Sequence, residues 1–495
     1  MTFIPSPQQQ AIFEWKEKET GNAFIEAVAG AGKTTTLVQL CKRLSGSVAF
    51  RAVKKKIADE IGEKVTSNGL SNVTAATFHS LGFRFWRKVY RYVKVDAYAK
   101  NRRIADEVGI PKELQSFVFS LLSHAKNQAI GLFGAFDDRA IYYGIVEHHD
   151  MVESLENPEL LEDAIDYTIR ALYHSNKLSS ELIDFDDMLY CPLVKGVEFE
   201  IFDWALIDEA QDTNPARRAF VRRLMGENSR AVFVGDRFQA IYGFAGADSD
   251  SVDQILKEYD AKSLPLTVTY RCPKAVVKKA QAYVTHIQAH ETAPDGKVSN
   301  LDTLEEIFAQ GLTAQDAILC RNTKPIVSLA YDLIRKNIPC HVEGRDIGQG
   351  LKKFAEKYKV KTVDAMRSRL ETFVEREKAK LIAKGKETAA EAIQDKFDTL
   401  MIISEGCRTV DEVKAKIDAL FQDNDKEKKP TLTLSTVHKS KGREWNRVYI
   451  LGMEKYMPSK YARQQWQKDQ ERNLIYVAFT RAKSELIFVP VTAKG

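Results

Sequence analysis

The chain has 495 residues, a formal net charge of +5 and a pI near 8.6, with 44% hydrophobic and 28% charged residues. That length exceeds what one hydrophobic core holds, so several subdomains are expected in an otherwise ordinary soluble globular composition. No run approaches ~18 apolar residues, which excludes a membrane-spanning helix, and the small positive charge favours nucleic acid only where it is clustered.

In chain order, Pro5, Pro7 and three glutamines lead into an amphipathic segment, Ala11 to Trp15, that reads as a helix start. Gln8 is a candidate to read adenine, because an amide offers both a donor and an acceptor edge. Phe24 to Leu40, FIEAVAGAGKTTTLVQL, then runs an apolar strand into a Gly-rich turn and a helix that starts at Lys33-Thr34. This is the layout of a phosphate loop. Backbone N–H groups from Ala27 through Gly32 (Ala27, Val28, Ala29, Gly30, Ala31, Gly32) can cradle phosphates, helped by the helix N-terminus and Lys33. The Thr34 hydroxyl is a candidate Mg2+ ligand, and Thr35 adds a further donor. Ala27 stands where the usual G-x-x-x-x-G-K-[ST] pattern has its first glycine.

A second apolar run, Ser47 to Phe50, precedes a basic helix at Lys54 to Glu60. The strand–helix–strand–helix rhythm predicts an α/β fold with a parallel sheet. Between Leu81 and Arg103 there are eight Lys/Arg residues against one acid, Asp96, interleaved with Phe83, Phe85, Trp86, Tyr90 and Tyr92. The stripe Leu81, Phe85, Val89, Tyr92 reads as a core face, and the opposite cationic face is available to DNA. Residues 104–184 read as helices, and the acidic run Asp184 to Asp187 reads as a solvated helix start.

WALIDEAQD at 204–212 is an apolar strand that delivers Asp208 and Glu209 at its end. Asp208 is placed to hold Mg2+, and Glu209 to orient or deprotonate an attacking water. A third strand, Val232 to Asp236, leads to Gln239, a candidate γ-phosphate sensor. Tyr242 and Phe244 follow, beside glycines, as candidate base-stacking rings. The six cysteines (41, 191, 272, 320, 340, 407) form no C-x-x-C pair and no zinc-spaced cluster, which points to reduced thiols in a cytosolic-type, intracellular compartment. The first residues lack the basic and apolar regions of a secretory signal.

Together DEAQD, GDRFQAIYGFAGAD, TYRCP, LSTVHKSKGREW at 434–445 and ERNLIYVAFTRAK at 471–483 resemble the UvrD/Rep/PcrA family of superfamily 1 DNA helicases. The resemblance runs from the phosphate loop to Lys483, in the family's order. It implies two RecA-like P-loop domains that use ATP and Mg2+ to move on single-stranded DNA and at single-strand/duplex junctions, with 3′→5′ polarity. Residue by residue, it implies that Gln8 contacts adenine and Tyr270 stacks on it. Lys33, Thr34, Asp208 and Glu209 would bind MgATP and drive hydrolysis. Gln239, Arg271 and Arg481 would contact the γ-phosphate, Arg481 as an arginine finger. Gly442 and Glu444 would lie at the nucleotide, the latter on the ribose. Phe50, His79, Tyr242, Phe244 and His438 would contact DNA.

Domains are expected at 1–80 with 185–264 (first RecA-like), 81–184 (helical insertion), 265–344 with 430–495 (second RecA-like) and 345–429 (reduced helical insertion). The last span carries Glu375–Lys378 and Glu377–Lys380 at helical spacing and ends in a polar linker. It reads as a solvated insert or as a minimal duplex-contacting or autoregulatory element. Ala245 replaces an arginine frequent in the family. Other readings are a translocase that unwinds poorly, a helicase-like subunit that needs a nuclease or other partner (a protein loading partner among them), and a non-catalytic ATP-switched scaffold. Against the scaffold stands the intact set Lys33, Glu209, Gln239, Arg271 and Arg481.

Overall fold

The computed structural model describes residues 3–491 except 53–54, 150, 156, 244–249, 384–386 and 422–430. The chain divides into two units, residues 1–28 with 32–266, and residues 29–31 with 267–495.

The first unit opens with α1 (Pro7–Lys18), followed by β1 (Asn22–Ala27), α2 (Lys33–Cys41), β2 (Val48–Ala52), α3 (Lys55–Ser67) and β3 (Val73–Thr77). A largely helical stretch comes next: α4 (Phe78–Val89), β4 (Lys94–Val95), α5 (Ala97–Val108), α6 (Lys112–Asn127), α7 (Arg139–His148), α8 (Leu161–Leu178), β5 (Leu182–Ile183) and α9 (Asp187–Val194). The chain then returns to the sheet through β6 (Phe202–Ile207), α10 (Pro215–Arg223), β7 (Met225–Gly235), α11 (Ser251–Glu258) and β8 (Ala261–Leu266). Six strands form one parallel sheet in the order β3-β2-β6-β7-β1-β8. Parallel strands need helical crossovers and are covered on both faces, which explains why β1, β2 and β6 read as nearly continuous apolar runs. All five residues of β2 are buried.

That burial corrects one sequence expectation. Phe50 sits in β2, between β3 and β6, and is 1% exposed, so its ring has no face to offer a DNA base. The α4 stripe is corrected as well. Leu81, Phe85 and Trp86 are buried, with Phe85 against Phe199 and Phe220, but Val89 and Tyr92 are exposed. The helix follows its core face for two turns and then runs out into solvent.

The second unit contains β9 (Val268–Thr269), α12 (Lys274–Ala280), β10 (Gln288–Ala289), β11 (Lys297–Asn300), β12 (Ala317–Cys320), α13 (Thr323–Arg335) and β13 (Cys340–Val342). Four helices follow: α14 (Arg345–Ala355), α15 (Val363–Ala383), α16 (Glu387–Ser404) and α17 (Val410–Leu420). The sheet is completed by β14 (Leu432–Thr436), α18 (Val437–Ser440), β15 (Trp445–Leu451), α19 (Met453–Tyr456), α20 (Gln465–Phe479) and β16 (Ala482–Val489). It is again parallel, in the order β11-β16-β15-β12-β14-β13. The expected fold class, α/β with two parallel-sheet domains and helical insertions, is what the chain adopts.

The helices α14–α17 share a core with the sheet: Leu351, Leu370, Leu400 and Ile417 belong to the same buried cluster as Ile318 and Leu434. Of the two expected ion pairs on α15, Lys380–Glu377 forms at 3.4 Å, whereas Lys378 donates to Gln394 on α16. The polar linker lies outside the described residues. No described helix is long and apolar enough to cross a membrane.

Candidate nucleotide site

In the first unit β6, β7 and β1 are adjacent and parallel, so their C-terminal ends open side by side. In such sheets that edge is where ligands bind. The sheet order therefore brings together residues 176 positions apart: Lys33 Nζ donates to Glu209 Oε1 at 3.1 Å. Lys33 starts α2, behind Gly32 in the left-handed region at φ +78, a conformation that glycine adopts without Cβ strain. Burial disfavours the Lys33 ammonium, but Glu209, Asp208 and Asp236 outweigh it and hold its pKa above the ordinary value. The site keeps a full positive charge among three carboxylates.

Asp208 is buried at the end of β6 and accepts the Glu209 N–H at 2.9 Å. Glu209 has a left-handed backbone, φ 52. Such non-glycine strain concentrates at functional sites. Two residues on, Gln211 donates to Glu209 Oε2 at 2.5 Å and accepts the Asp236 N–H at 3.0 Å. Gln239, also buried, donates to Asp236 Oδ2 at 2.7 Å. Burial raises the Asp236 pKa despite Lys33 and these donors. Thr34 lies half-buried in the first turn of α2 and Thr35 is exposed. Thr34 and Asp208 offer hard oxygen donors, the chemistry that Mg2+ prefers.

Gln8 is half-exposed, and the buried glutamine is its neighbour. Gln9, 4% exposed, accepts the Ser6 N–H at 3.0 Å and donates to Thr36 Oγ1 at 2.9 Å, while Thr36 Oγ1 donates to the Gly32 carbonyl. Its amide thus caps α1 and braces the phosphate-loop helix. The spacing Ser6-x-x-Gln9 is a capping-box signature, the one sign in the sequence of the structural role that Gln9 takes. Ala27 ends β1, and the Val28 N–H donates to the Leu266 carbonyl. His79, in the first turn of α4, is held neutral: burial, helped by Arg217, brings its pKa down to about 4. Tyr242 is half-buried, and Phe244 and Ala245 lie outside the described residues.

In the second unit, Arg271 Nε donates to Glu444 Oε2 at 2.5 Å, and Lys483 pairs with the other oxygen at 2.7 Å. Burial works against the Glu444 carboxylate, yet Lys483 and Arg271 bring its pKa below the usual range. Glu444 is therefore the counter-ion of Arg271, a role its motif position did not reveal. Gly442, at φ +88, lies in the turn just before it. Arg481 is 1% exposed; it donates to the Val477 and Arg443 carbonyls at 2.8 and 3.1 Å and to Thr480 Oγ1 at 3.1 Å. Tyr270 is 48% exposed, its ring 4.8 Å from that of His290. Of the loop residues that group with this unit, Ala29 donates its N–H to the Tyr476 hydroxyl, Gly30 accepts the Tyr270 N–H, and Ala31 is buried. His438 in α18 is half-buried, and burial together with Arg321 lowers its pKa to about 4.

Comparison with known proteins gives two family matches: the UvrD/REP helicase N-terminal domain over residues 6–260 and the UvrD-like helicase C-terminal domain over residues 345–492. Among curated relatives, the ATP-dependent DNA helicase PcrA of Leuconostoc citreum is 26% identical over 54% of this chain and 37% of its own length. DNA helicase II of Haemophilus influenzae is 23% identical over 66% of this chain and 49% of its own. The ATP-dependent DNA helicase Rep of Escherichia coli is 22% identical over 56% and 43%. The matched part of the chain thus spans less than half the length of each of these relatives. The N-terminal match alone takes in more than half of the residues, among them the loop, the paired acids and Gln239, and the chain belongs to the UvrD/REP helicase family.

Proposed function

We propose that the protein is an ATP-hydrolysing motor that steps along single-stranded DNA, 3′→5′, and opens duplex ahead of it. The observation that carries this reading is the Lys33–Glu209 pair set beside Asp208, Asp236 and Gln239. Lys33 supplies charge for the β- and γ-phosphates, and a phosphate seated in the loop competes with Glu209 for it. Glu209, released from Lys33 and still held by Gln211, orients the attacking water and takes its proton. Thr34 and Asp208 would hold Mg2+, which would supply charge to offset the phosphates.

Arg271 and Arg481 serve the same γ-phosphate from the second unit, Arg481 as a guanidinium preset by its carbonyl contacts. A group of this kind is worth roughly 10³–10⁵ in rate. Tyr270 offers its exposed ring to the base, and ATP favours the arrangement in which both sets touch it. Stepping is the alternation between that arrangement and the one left after phosphate departs. The polarity follows the motif style, and the names of the relatives support ATP and DNA as the substrates.

One experiment tests the reading. ATP hydrolysis should rise sharply when single-stranded DNA is added and collapse in Lys33→Ala, and partial duplexes with a 3′ tail should be unwound in preference to those with a 5′ tail. Hydrolysis indifferent to DNA would overturn the motor, and preference for the 5′ tail would overturn the polarity.

A further inference from the structure

The basic, aromatic surface that starts on α4 and continues to Tyr92 lies outside the nucleotide site and the helicase motifs. A groove of about 770 Å³ there is lined by Phe83, Arg84, Arg87, Lys88, Arg91 and Tyr92. All four cations are exposed, and Tyr92 is 92% exposed. Arg84 pairs with Glu200 at 3.0 Å, but among the described residues no carboxylate pairs with Arg87, Lys88 or Arg91. The Arg87 guanidinium lies 5.7 Å over the Phe83 ring and donates to the Arg91 carbonyl.

Beneath this surface lies Arg51 of β2, with no exposed area. Its Nη1 donates to the Phe50 and Thr74 carbonyls at 2.8 Å each, while Nε and Nη2 find no partner among the described residues. Burial and the nearby Arg84 bring its pKa down to about 9. A buried cation in low dielectric, only partly offset by Glu200, adds to the potential of the guanidinium above it.

We propose that this groove seats a stretch of single-stranded nucleic acid, with Arg87, Lys88 and Arg91 on successive phosphates and Tyr92 stacked on a base. Charge complementarity selects a polyanion, and a fully exposed ring at the end of a cationic groove selects unpaired bases over a closed duplex. The strand's identity as DNA rests on the motor reading, but the contact itself does not require ATP. The seat gives the protein a hold on the strand outside the nucleotide-driven motifs, one that persists while the motor resets.

The test is fluorescence anisotropy with a labelled oligothymidylate over a range of salt concentrations. In Arg87→Ala/Lys88→Ala/Arg91→Ala the log–log salt slope should become shallower by about 2, as expected for the loss of three phosphate contacts to a single strand. Tyr92→Ala should weaken binding by roughly 5- to 100-fold and Tyr92→Phe should restore it. Unaltered thermal melting and unaltered DNA-free ATPase establish that the variants are folded. An unchanged slope and affinity in the triple variant would overturn the seat, and so would a defect confined to blunt duplex. The two readings fail separately. A seat that fails leaves DNA-stimulated hydrolysis intact, whereas a motor that fails leaves the oligonucleotide binding and its dependence on these side chains.

Discussion

Two lysines with almost no exposed surface, Lys100 and Lys126, meet the carboxylate of Asp187 at 2.5 and 2.8 Å, and Asp184 adds a second contact to Lys126 at 2.6 Å. The acidic run at 184–187 is thus no solvated helix start: it ties α5 and α6 to α9 through buried charge. Nothing local announced this, because the partner lysines lie in two other helices, Lys100 87 positions away. Removing one partner of such a set leaves an uncompensated buried ion, so Asp187→Ala should lower the unfolding free energy by about 3–5 kcal/mol in urea denaturation. Burial pushes the Asp187 pKa up, but Lys126 and Lys100 overcome it and hold it well below the ordinary range. A depressed carboxylate stabilises the fold above its unfolded value, and that contribution is lost as pH falls below about 4. The histidines act at milder pH. His79 and His438 titrate near 4 in the fold, under burial with Arg217 in one case and with Arg321 and Lys439 against Glu471 in the other. Between roughly 6.5 and 4 the unfolded chain binds more protons, so stability falls on acidification through that window. Melting temperatures at pH 7 and 5 should show the drop, and His79→Gln should make it smaller.

At the scale of elements, α4 and α9 pack closely at Gly82, where a Cβ would lie 2.0 Å from the Met188 carbonyl oxygen. Gly82→Ala would force two helices apart at backbone level, and we expect a loss of about 1–3 kcal/mol in chemical denaturation. Strand, loop and helix around Lys33 were legible because their chemistry is local: apolar run, glycines and the Lys-Thr pair stand within a dozen residues. The pairing of Asp208 and Glu209 with Lys33 was legible through motif order. What escaped was whatever depends on which neighbour a side chain finds. Phe50 occupies a position that looks exposed by analogy and is covered because β2 is an interior strand of a parallel sheet buried on both faces. Gln211, in the same DEAQD string as the two acids, bridges Glu209 and the Asp236 amide only because β6 and β7 are adjacent. The counter-ion role of Glu444 depends likewise on β15 and β16 being paired, which sets Lys483 next to it.

At the scale of the whole molecule, the proposed motor requires the two units to respond to nucleotide. With one fluorophore on each unit, energy transfer should change when a non-hydrolysable ATP analogue is added, and the change should be lost in Arg271→Ala/Arg481→Ala; an unaltered response in that variant would remove both arginines from the coupling. The presence of two parallel α/β sheets was legible from the order of motifs. The share of the core taken by α14–α17 was not, because their charged surfaces conceal apolar faces that pack on one another and, through α16, on α13, joining the cluster that holds Ile318 and Leu434. One further consequence follows from β1 having β7 on one side and β8 on the other. Both neighbours are encoded about 200 residues later, so at ordinary translation speeds the strand that carries the phosphate loop stays without lateral partners for roughly 10–40 s after it is made. An apolar strand with two bare edges is a template for pairing with other chains. Anything that covers the nascent strand during that interval removes the hazard, and any ribosome pause between codons 28 and 224 prolongs it.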